Sequence, residues 1–100
     1  MDERKTLIAM LQQLIVEMGV VQSQGAGYYT CAPFASRFNK LLSQAPMVLG
    51  DHNGLLGTFA PLDETDPKDP ADKSKVLLEI RIEVGQLITL LENSQGGVTT

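Results

Sequence analysis

LIAMLQQLIVEMGVV, residues 7–21, is the stretch that decides the fold. Its apolar positions Leu7, Leu11, Leu14, Met18 and Val21 are spaced four, three, four and three. That is the repeat of one helix face and not the alternation of a strand. The spacing predicts a helix over residues 3–23. Ile8, Met10 and Ile15 flank the seam, so the apolar face is wider than a two-stranded coiled coil uses and suits a bundle with several neighbours. The same stretch raises the question of a membrane span. Gln12, Gln13 and Glu17 interrupt it, and about 20 apolar residues are needed to cross the hydrocarbon layer, so no span is expected.

The carboxyl-terminal third repeats the pattern. Leu77, Ile80, Val84, Leu87 and Leu91 are spaced three, four, three and four, with Leu78, Ile82, Ile88 and Leu90 beside them. A helix is predicted over residues 70–94. Asp69-Pro70 marks its entry, because Asp accepts from unpaired amides and Pro fits the first turn. Asn93, Ser94 and Gly96-Gly97 mark its exit, and Gly96 to Thr100 reads as a frayed tail.

Between these helices Pro33 opens a shorter pattern in which Phe34, Phe38, Leu41, Leu42 and Ala45 share a face before Pro46. A helix over residues 33–45 is expected, since Pro lacks the amide that would continue it. Residues 46–69 are harder to read. Met47-Val48-Leu49 and Leu55-Leu56 flank Asp51-His52-Asn53-Gly54, which fits either a hairpin turned at Asn53-Gly54 or irregular backbone packed across a helix face. From Asp63 to Asp72 there are five acids, one Lys and two prolines, so residues 63–69 read as a solvated link. Gly19 and Gly85 each cost about 1 kcal/mol relative to Ala inside a helix. A kink or fraying accounts for Gly19, near the end of its helix, whereas Gly85 lies in mid-helix and is expected to serve close packing.

One hundred residues, 43% hydrophobic and 20% charged, describe one soluble helical domain and not a disordered chain. Aromatics are only 5%, there is no Trp and the net charge is −4, against a surface that tracks phosphates or stacks bases. The halves differ: three acids against four bases before residue 51, nine acids against four bases after it. A lone Cys cannot close an internal disulfide. The start of the chain carries two acids and two bases, unlike an export signal, so a cytoplasmic protein is expected. Reversible membrane-surface binding by the first helix is disfavoured by its few bases and the acidic total.

The candidates for chemistry are Tyr28, Tyr29, Cys31, Asp51 and His52. Gly25-Ala26-Gly27 precedes Tyr28 and Tyr29, where a nucleotide-binding P-loop needs Lys and then Ser or Thr. A dinucleotide fingerprint needs a preceding strand and a third Gly. The stretch reads instead as a turn that reverses the chain. Cys31 stands just ahead of a helix start, a position that favours a thiolate, and His52 is the sole histidine and hence the only imidazole base for it. A small buried hydrophobe is the commoner role for such a Cys. Asp51, His52 and Asn53 do not make a zinc set. The acids from Asp63 to Asp72 lack the turn Gly of a calcium loop. Glu17, Glu79, Glu83 and Glu92 belong to the polar faces of the long helices.

The expected fold is therefore all-α: three helices, two long and one short, with a long loop. The long helices form an antiparallel pair, and two chains join them into a four-helix bundle. Their double apolar rows exceed what one short helix covers, and exposed rows of that size mark association. The function expected is a non-catalytic, homodimeric interaction or adaptor module with no cofactor, offering residues 22–33 to a protein partner. The alternative is a small enzyme or ligand-binding protein whose site joins the glycine-rich turn at residues 25–31 to Asp51, His52 and Asn53.

Overall fold

The computed structural model describes residues 3–24, 30–50 and 54–93. It is all-helical, as the seams require. α1 spans Glu3–Gln22, α2 spans Ala32–Leu49, and α3 spans Pro70–Asn93, with a short 3-10 helix at Gly54–Thr58. α1 buries Leu7, Leu11, Leu14 and Met18, four of the five seam residues, and Val21 is half-buried. α3 buries all five of its seam residues and Ile88 as well. Asp69 caps α3: its carboxylate accepts from the Ala71 amide at 2.8 Å and its carbonyl from the Lys73 amide at 3.0 Å.

Three polar contacts fix the orientations. Arg4 Nη1 donates to the Leu91 carbonyl at 3.4 Å and Arg81 Nη1 donates to Gln22 Oε1 at 3.2 Å, so α1 and α3 are antiparallel. Cys31 Sγ reaches the Lys73 carbonyl at 3.4 Å, so α2 and α3 start at the same end and run parallel. The chain must then travel back along the bundle between them. Residues 54–69 make that return as a strap lying where an up-down-up-down bundle would place its remaining helix.

Among the described residues the core is a single apolar cluster, whose buried members lie on the three helices or at Cys31. Leu56, Phe59 and Leu62 of the strap pack against it while only partly buried. The Asn39 amide holds the strap by its backbone. Asn39 Nδ2 donates to the Leu62 carbonyl at 2.9 Å, and Asn39 Oδ1 accepts from the Leu62 amide at 2.7 Å. Asn39 Nδ2 also donates to Glu64 Oε2 at 2.8 Å.

Several sequence expectations need correction. α2 does not stop before Pro46 but carries it inside and continues to Leu49. Pro46 loses one intrahelical bond, and a proline in a helix interior costs about 3 kcal/mol. The extra turn buries Leu49, worth about 2 kcal/mol, and Pro46 still accepts from the Gly50 amide. Gly50 ends the helix at φ 55°, a left-handed conformation that favours glycine. The buried face of α2 is turned from the one expected: Ala35 and Leu49 are buried, whereas Phe34 and Leu42 are only partly covered. The arms of the supposed hairpin are helical, Met47 to Leu49 in α2 and Leu55-Leu56 in the 3-10 helix. Gly85 is not at a close contact. A methyl group added there meets no heavy atom within 4 Å, and the same holds at Gly19.

Candidate functional site

Of the five candidates from sequence, Tyr28, Tyr29, Asp51 and His52 lie outside the described residues. Cys31 lies within them, at the N-cap of α2, with the opposite end of that helix at Gly50. It is 1% exposed. Its side chain does not cap the helix, but donates its thiol proton to the Lys73 carbonyl. Its amide donates to Asp66 Oδ1 at 3.0 Å, and its carbonyl accepts from the Phe34 and Ala35 amides. Burial pushes the thiol pKa up, the Asp66 carboxylate adds to that, and Lys73 opposes it. A nucleophilic Cys needs the reverse, an electropositive setting that favours the thiolate. This environment keeps the thiol protonated and packed.

Asp63 is fully exposed, and its pKa is lowered by hydrogen bonds from Thr65, side chain first and then the amide at 2.8 Å. That is a local turn on the surface. Among the described residues no three Cys, His, Asp or Glu side chains gather as a metal set, and the buried side chains are apolar apart from the thiol of Cys31.

The distinctive surface features are apolar. On α3, Leu78 is 53% and Ile82 is 52% exposed, and with Gly85 they follow a four-then-three spacing, the repeat of a helix seam. On α1, Val16 and Val20, one turn apart, are similarly open. The antiparallel pairing sets these two valines at the same level of the bundle as Leu78 and Ile82. A groove of about 350 Å³ between the start of α1 and the end of α2 is lined by Leu7, Met10, Leu41, Met47 and Val48. No helix among the described residues is long and apolar enough to cross a membrane.

No protein family matches this sequence, and neither a curated protein nor a solved structure is significantly similar to it.

Leu78 and Ile82 are legible in the sequence as part of the second apolar row of α3, whereas Val16 and Val20 lie off the α1 seam and carry no such signal. Sequence reading also misses Asn39 and Asp66. Asn39 gives no local signal, since its partner is 23 residues away. Asp66 is hidden in a run of acids that looks uniformly solvated.

Proposed function

We propose that this chain is a non-catalytic helical interaction module that self-associates through the outer faces of α1 and α3. The observation that supports this reading is the set of half-exposed apolar side chains, Leu78 and Ile82 on α3 with Val16 and Val20 at the same level on α1. A two-fold dimer uses the same patch on both chains, and a standard interface covers about 800 Å² per partner. That is a modest share of the 6075 Å² surface of the chain. Bringing two such faces together removes apolar area from water without disturbing the core.

The test is the mass in solution. Light scattering at micromolar concentration should give twice the chain mass of 10.8 kDa. Ile82→Asp should return the mass to that of one chain with helix content unchanged, because the side chain is half in solvent within the protomer, while a charge buried at a dimer seam costs several kcal/mol. A wild-type mass of one chain at that concentration refutes the proposal.

A further inference from the structure

The strap lies in the groove between α2 and α3 much as a bound peptide would. Its hold is made of two kinds of contact. Apolar side chains, Phe59 and Leu62, rest on the core without becoming buried. Polar contacts come from the helices: Asn39 reads the backbone of Leu62 on both sides, and the Cys31 amide takes the Asp66 carboxylate. No strap residue belongs to the buried core. Cavities of about 330 Å³ beside Leu62 and Pro67, and about 360 Å³ beside Phe59, remain along α3, so the strap fills the groove incompletely.

The strap also has length to spare. The return it must make is about the length of α2, whose 18 residues rise roughly 27 Å. Residues 50–69 can reach roughly 66 Å when extended. The connection could therefore leave the groove and still join α2 to α3 with both helices in place.

We propose that the α2–α3 groove is a docking site for an extended acidic peptide, occupied in cis by the strap and opened when a partner segment of the same chemistry replaces it. The strap defines the chemistry: two apolar residues three apart, as Phe59 and Leu62, a backbone free to pair with an Asn amide, and an Asp four residues beyond the second, as Asp66. This site is separate from the outer α1–α3 face and does not depend on self-association. A tethered strap competes at an effective concentration on the order of millimolar, so in the unaltered chain the groove is largely masked.

The probe is a fluorescent peptide of residues 54–69, added to the full chain and followed by anisotropy. Phe59→Ser with Leu62→Ser weakens the cis strap and leaves Asn39 and the α3 wall intact. The double variant should bind the peptide at least tenfold more tightly than the wild type. Adding Asn39→Ala should reverse that gain at least tenfold, and a scrambled peptide should not bind. In the unaltered protein, the Leu62 amide should exchange at least tenfold faster than the Val84 amide of the core, because the strap opens without global unfolding. The proposal is overturned if the folded double variant binds no better than wild type, or binds the scrambled peptide equally. It is also overturned if the variant loses its helix content, or if Leu62 is protected as strongly as Val84, because the strap would then be an inseparable part of the fold.

Discussion

Replacing Gly85 by Ala tests the packing of α3 directly. The residue lies inside a 24-residue helix, its φ is not positive, and an added methyl meets no heavy atom within 4 Å. The intrinsic term then acts alone: a helix-interior Gly is worse than Ala by about 0.5–1 kcal/mol, through the backbone freedom it loses on folding. At roughly 4–8 °C per kcal/mol for a domain near this size, Gly85→Ala should raise the melting temperature by roughly 2–8 °C. Thermal unfolding followed by circular dichroism at submicromolar concentration reads this in the monomer, and Gly19→Ala, where the site is equally open, provides a matched comparison. The proposed self-association would change the outcome, because Gly85 shares the row of Leu78 and Ile82, and dimer stability depends on concentration. On that proposal the gain should shrink as the protein is concentrated. A lower melting temperature for Gly85→Ala in dilute solution refutes the open packing described here.

Cys31 ties stability to pH. Its raised thiol pKa means that the folded chain keeps this proton to higher pH than the unfolded chain does, so stability falls as pH rises through about 8.5 and above. Urea unfolding between pH 7 and 10 should show that decline, and Cys31→Ala should remove it; identical profiles refute the assignment. Alkylation of Cys31 at neutral pH should be slow and indifferent to His52→Ala, whereas a fast rate abolished by that substitution returns the chain to the enzymes. Phe38, fully buried, should cost about 3–5 kcal/mol when cut to Ala. Leu55, 67% exposed, should cost no more than about 0.5 kcal/mol; equal losses in denaturant titrations contradict the core described.

The long helices were legible because their seams are long and face no competing signal. Expected and observed bounds differ by a residue, and Asp69 caps α3 as its place before Pro70 implies. Pro46 was misleading because the rule that Pro ends a helix is local, while the burial of Leu49 depends on the fold around it. The mid-helix position of Gly85 alone implies a packing device, and only the placement of neighbouring elements shows open space beside it. The path of residues 54–69 has no periodic signature, since its attachments are single side chains, Asn39 and Asp66, meeting backbone 23 and 35 residues away. For the candidate site, sequence could nominate Cys31, but whether that thiol is activated depends on burial and on Asp66, neither of which its neighbours in the chain encode.

The parallel course of α2 and α3 has an electrostatic consequence. Peptide dipoles add along each helix to roughly half a positive charge at its beginning. Two helices that begin side by side gather that charge at one pole of the molecule, and the end of α1 there offsets only part of it. Asp66 at the start of α2, with Asp69 and Asp72 at the start of α3, are the anions at that pole. The excess of acids in the second half of the chain is thus partly matched to the backbone itself. Reversing charges in that run would act on two helix beginnings at once, and would register first as fraying of that pole and only second as a change in the field felt by an approaching partner.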